Sequence, residues 1–158
     1  MKKILLFVFY IAISCHVSTV KAQGNADALM KQGQEFLANK EYVKARSTFL
    51  HAFNAFVAKG QSDKATYCGT RVASLYYREN YYKEAFDILR AADQCIVQGE
   101  QRNNSQRPDL RYATTKERLQ MYTRMRKASS AAEQISRLDA YASAAANDSL
   151  NKDLLYTK

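Results

Sequence analysis

A stretch of this chain repeats itself forty residues further on, and that echo restricts the fold more than any other feature. Phe36, Tyr42, Ala45, Phe49 and Ala52 match Tyr76, Tyr82, Ala85, Leu89 and Ala92 at a constant offset. Each set holds an aromatic residue, a Tyr six positions on, an Ala, a large apolar residue and a second Ala. The spacings of three and four place the last four residues of each set on one face of a helix. A period of this length marks stacked helical units, each too small to bury its own apolar face without a neighbour.

The first 22 residues read as a signal peptide and are set aside before the fold is considered. Lys2 and Lys3 precede an apolar run from Ile4 to Ser14, and Val20, Lys21 and Ala22 fit a cleavage site that leaves Gln23 as the mature terminus. The run is shorter than the roughly 18 residues that a spanning helix needs. Export to the periplasm, or to the outer face of a bacterial membrane, is therefore expected. Cys15 follows the apolar run and offers an alternative lipid attachment, although Ala12 stands where such motifs carry a larger aliphatic residue. At the other end, Asp148 is a plausible N-cap for a helix over 148–158 with Leu150, Leu154 and Leu155 as its apolar positions. Those leucines lack a partner helix in the sequence. This segment reads either as a terminal cap or as the start of a further unit in a longer protein.

Residues 23–158 contain one Pro and few Gly among abundant Ala, Leu, Lys, Glu and Gln, which predicts an all-α domain. Apolar spacing places helices near 26–38, 42–58, 62–78 and 82–97, with Ser62 as a cap. Residues 99–107 read as a polar linker ending at Pro108, and a third helix pair follows near 109–126 and 128–145. The units span about 26–60, 62–98 and 109–145. Ala128, Ala131, Ile135, Leu138 and Ala142 give the last helix a continuous apolar stripe.

The net charge falls from +9 to +6 when Lys2, Lys3 and Lys21 are removed. Eight Lys or Arg lie between Arg102 and Lys127, with only Asp109 and Glu117 among them. In an exported protein this band reads as a solvated basic face rather than a nucleic-acid site. An acidic ligand or an anionic membrane surface are the alternatives.

Gly33, Phe36, Tyr42, Ala45, Phe49 and Ala52, and again Ala73, Tyr76, Tyr82, Ala85, Leu89 and Ala92, resemble the signature of a tetratricopeptide repeat (TPR). Leu119, Tyr122, Ala131, Ile135 and Leu138 suit a third, degenerate unit, in which Arg118 stands at a position that is usually apolar. The spacings of 40 and about 46 exceed the family's roughly 34-residue period. The family's closing Pro is absent from the first two units. The resemblance implies antiparallel helix pairs stacked as a right-handed α-solenoid that binds a protein or peptide on its concave face. By the same analogy Tyr67, Thr70, Ser74, Tyr77 and Arg78 line that face, with Met30, Gln34 and Leu37 as their counterparts one unit earlier. Met30 and Gln34 occupy places where some TPR domains carry a basic clamp for a C-terminal carboxylate, so that mode is not expected. Exported TPR arrays also resemble the sensor regions of membrane-bound bacterial regulators, and an ectodomain of a signalling receptor is the alternative function.

Catalysis is not expected. His51 is the only histidine of the mature chain, and it has no orienting carboxylate in its helix. The sequence contains no Gly-rich phosphate loop, no metal-ligand spacing and no sign of a cofactor. Cys68 and Cys95 come side by side in an antiparallel hairpin. They form a disulfide if their Cα atoms lie within about 7 Å, and otherwise act as two small buried hydrophobes.

Overall fold

The computed structural model describes residues 25–145. The leader, Cys15 and the segment 148–158 lie outside the described residues. Among the described residues the protein is all-helical and has no strand. Helix α1 covers 25–38, and α2 (Tyr42–Ala58), α3 (Ser62–Arg78), α4 (Tyr82–Asn103), α5 (Pro108–Arg124) and α6 (Ala128–Ala145) follow. None is long and apolar enough to cross a membrane.

Four of the five junctions are three residues long and share one geometry. The N–H groups of Glu41, Gln61, Tyr81 and Lys127 donate to the carbonyls of Phe36, Phe56, Tyr76 and Tyr122 at 2.9–3.0 Å. In each turn the preceding residue (Lys40, Gly60, Asn80 or Arg126) has a positive φ of 57–67°. This is a Schellman closure, which satisfies the last carbonyls of the helix by a single left-handed residue. Helices α2 and α3 are both 17 residues long, so helix plus turn closes every twenty residues. The forty-residue echo of the sequence is two such steps.

The fifth junction departs from the expected linker. Helix α4 runs through Gly99 to Asn103 before Asn104, with φ 46° and ψ 44°, ends it. Only 104–107 remain as connection, and Pro108 opens α5 at a position where its missing N–H costs nothing. The polar composition of 99–103 suggested a loop, but a polar helix end that stays on the surface has the same composition. Ser62 is likewise not the cap. Gln61 precedes α3 without a side-chain cap bond, and the Ser62 hydroxyl donates instead to the Cys95 carbonyl of α4 at 3.2 Å.

Helix α3 is central and packs against α2, α4 and α5, while α5 also packs on α4 and α6. The echoed residues Ala45, Phe49, Ala52, Ala85, Leu89 and Ala92 are fully buried. The largest core cluster joins Phe49, Phe53 and Phe56 to Val72 and Leu75, with Leu29, Met30, Phe36 and Leu37 of α1 packed against it. Each such aromatic contributes about 2–3 kcal/mol by burial. Gly33 is required for the close approach of α1 and α2, since a Cβ there would lie 2.9 Å from the Phe49 ring. A smaller cluster of Tyr112, Leu119, Leu138 and Ala142 holds α5 to α6.

Only part of the basic band is the solvated face that its local sequence suggested: Arg102, Arg124, Arg126 and Lys127 are exposed, whereas three arginines are paired. Arg107 pairs with Asp63 and Asp109, Arg111 with Glu100, and Arg118 with Asp93. Three of these acids come from α3 and α4, which the local sequence could not reveal. Asp93 also accepts a 2.8 Å bond from the Thr114 hydroxyl. Arg118 therefore occupies its nominally apolar position as a half-buried, neutralised guanidinium.

Candidate functional site

Helix α3 presents one row of polar and aromatic side chains between α1 and α5, and these residues form the candidate binding face. At the α1 side, Gln34 Nε2 donates to the Tyr67 hydroxyl at 3.0 Å. The Tyr67 ring stands edge-on to Phe49, with centroids 6.3 Å apart, and the Arg71 guanidinium lies 5.2 Å above it. Both side chains are thus held in place while their polar atoms remain at the surface. At the α5 side, the Tyr77 hydroxyl donates to Gln120 Oε1 at 2.8 Å, and the Arg124 guanidinium lies 5.9 Å from the Tyr77 ring.

Between these two pairs sits Glu117. Burial pushes its carboxyl up to about 7, against the opposing pull of Arg71 and Lys116. Its Oε2 is buried and accepts no hydrogen bond. The Tyr77 phenol is also raised, first by burial and then by the Glu117 charge, with Ser74, Arg124 and Arg78 acting in the opposite sense. An under-satisfied carboxyl beside a packed tyrosine stores unfavourable desolvation that a donor from a ligand could relieve.

Not every expected groove residue joins this face. Gln34, Tyr67, Ser74 and Tyr77 do. Thr70 is buried, and its hydroxyl is spent on the Tyr67 carbonyl at 2.9 Å. Met30 and Leu37 pack against the core instead of lining an open surface. Arg78 turns away from Tyr77, with its guanidinium 4.0 Å from the Tyr42 ring of α2. Adjacent helical residues point about 100° apart, so Tyr77 and Arg78 cannot share a face. Arg71, Glu117, Gln120 and Arg124 were missed. The signal for two of them was available, because the 46-residue offset that relates Tyr76 to Tyr122 also relates the expected Ser74 to Gln120 and Arg78 to Arg124.

Beyond Tyr77 the face opens into a cavity of about 520 Å³ lined by Tyr77, Leu119, Gln120, Thr123, Arg124, Ala131 and Ile135. The two cysteines lie elsewhere, as free thiols in the interior, and no Cys68–Cys95 disulfide is formed. Burial, with a smaller contribution from Asp27, pushes the Cys68 thiol up to about 12, and burial also raises Cys95. At both positions burial disfavours the thiolate that attack on sulfur requires. His51 is exposed on α2. Among the described residues no group of three or more His, Cys, Asp or Glu side chains is placed to hold a metal ion.

No family model, no curated protein and no solved structure matches this chain.

Proposed function

We propose that the protein is an exported, non-catalytic module of the tetratricopeptide-repeat type that binds an extended segment of a partner protein. In this reading α1 with α2, α3 with α4, and α5 with α6 are antiparallel pairs stacked as a right-handed solenoid. The row formed by α1, α3 and α5 is its recognition face. The single observation that carries the reading is the spacing of that row. Gln34 with Tyr67, and Tyr77 with Gln120, are two hydrogen-bonding pairs that join α3 to α1 and to α5, their tyrosines ten residues apart on α3 and separated by Arg71 and Ser74. Ten helical residues span about 15 Å. A ligand that contacts both pairs is longer than a small metabolite and matches a few residues of extended chain. Tyrosines supply contact area and a hydroxyl at little entropic cost, which favours them at such surfaces.

Selection from a random peptide library tests the proposal. Peptides recovered on the purified protein are expected to lose about tenfold or more in affinity for Tyr67→Ala, a change of about 1.4 kcal/mol. His51→Ala, on α2 and outside the row, leaves affinity unchanged. Peptides that bind both variants as well as the parent protein would remove the row from the function.

A further inference from the structure

The basic band divides into two parts that the structure treats differently. Arg107, Arg111 and Arg118 each meet a carboxylate, as described above. Arg124, Arg126 and Lys127, at the end of α5 and in the turn after it, meet none among the described residues, and all three are exposed. The Arg124 guanidinium has only the Tyr77 ring and a 3.4 Å contact to the Arg78 carbonyl. Of these cations Arg124 lines the cavity whose walls are the Tyr77 ring, Leu119, Ala131 and Ile135, and Arg126 and Lys127 follow it in the chain. No acidic residue lines that cavity.

From this juxtaposition we infer that the cavity between α3, α5 and α6 is a specificity pocket for large aliphatic side chains carried by an acidic, internal segment of a partner protein. The inference rests on the peptide-binding reading and names the chemistry of the ligand at one end of the face. The apolar walls reward an aliphatic side chain for leaving water. The volume is that of a ligand pocket and accommodates more than one such side chain. The unneutralised Arg124 at the rim, with Arg126 and Lys127 in the turn that follows, raises the association rate of an acidic segment and disfavours a basic one. A small anion alone would gain nothing from the apolar walls. An anionic membrane would respond to the whole basic surface and would not need the cavity.

Fluorescence anisotropy with a short labelled peptide, two leucines flanked by aspartates and glutamates, tests this. The peptide is expected to bind the purified protein. Replacing its leucines by alanine, or its acids by asparagine and glutamine, weakens it about tenfold or more in each case. Arg124→Glu and Thr123→Glu at the rim have the same effect, and so does Ala131→Leu, which narrows the cavity. Circular dichroism confirms that each variant keeps its helices. Because Thr123 and Arg124 are exposed, those two variants remain informative if Ala131→Leu does not fold.

Unchanged affinity of the acidic peptide for Arg124→Glu and Thr123→Glu overturns the inference. So does binding to phosphatidylglycerol vesicles that survives Ala131→Leu while the peptide fails to bind. If library-selected peptides still depend on Tyr67 when the acidic peptide does not bind, the specificity assignment fails and the peptide-binding reading stands. If neither kind of peptide binds, both fail.

Discussion

The first four helices and the last two are held by different mixtures of apolar and ionic contacts. Helices α1 to α4 interlock through Phe49, Phe53, Phe56, Val72 and Leu75, with Gly33 admitting the Phe49 ring. Helices α5 and α6 share a thinner apolar seam of Tyr112, Leu119, Leu138 and Ala142. Their attachment to α3 and α4 combines an apolar contact, Met121 buried against Ala73, Ala85 and Leu89 with the Tyr122 ring 5.1 Å from Phe86, with ion pairs from Arg107 to Asp63, Arg111 to Glu100, and Arg118 with Thr114 to Asp93. Apolar packing is not screened by a salt such as sodium chloride, whereas partly exposed ion pairs are. The contrast bears on the proposed function, because the Tyr67 end of the proposed recognition face belongs to the first block and the cavity belongs largely to the second.

The largest effects separate the two blocks. Phe49→Ala removes a fully buried ring and is expected to destabilise the protein by about 3–5 kcal/mol, equally at low and high salt. Asp93→Ala removes the partner of both Arg118 and Thr114 and is expected to cost about 1–3 kcal/mol in dilute buffer and less in concentrated salt. Urea denaturation of both variants at two salt concentrations reads the difference. A salt-independent loss for Asp93→Ala would mean that the charges do not hold the blocks together.

A smaller effect sharpens the boundary between the blocks, where Glu117 sits. Its folded-state value of about 7 lies above the ordinary 4.5, so the folded chain holds the proton more tightly than the unfolded one. Its contribution to stability is therefore complete below about pH 4.5 and is lost as pH rises through about 7. Glu117→Gln, which cannot ionise, is expected to stabilise the protein by about 1–2 kcal/mol at pH 8 and to change it little at pH 4.5. Thermal melts across that range show a flattened pH profile if this is right.

The smallest effect should be the same in both blocks. Lys40 and Arg126 hold φ of 61° and 57°, a conformation that a side chain disfavours and glycine does not. Lys40→Gly and Arg126→Gly are each expected to raise stability by about 0.5–1 kcal/mol, measured by denaturant midpoint. Unequal gains would show that one of the turns is held by something other than the shared closure.

Much of the helical order was legible because it rests on local rules. The apolar spacing located α2, α3, α5 and α6 to within a residue or two, and the echo from Phe36 to Ala92 singled out the buried Ala45, Phe49, Ala52, Ala85, Leu89 and Ala92. The end of α4 was not legible, since Gly99 to Asn103 has the composition of either a loop or an exposed helix end. The candidate face was half legible. Helical phase and the family resemblance singled out Gln34, Tyr67, Ser74 and Tyr77. They also pointed to Thr70, Met30, Leu37 and Arg78, which the fold turns inward or away.

What the sequence by itself determined is the set of helices, because three- and four-residue periodicity and turn chemistry act within a few residues of chain. Only the tertiary structure decided which charges are neutralised and which remain free. Asp63, Asp93 and Glu100 reach α5 across gaps of eleven to forty-four residues. An ion pair depends on distance in space and carries no periodic mark in the chain. The same holds for the Gln34–Tyr67 and Tyr77–Gln120 pairs and for the Glu117 carboxyl. Each depends on where α3 meets its neighbours, and that meeting is set by how the apolar faces pack.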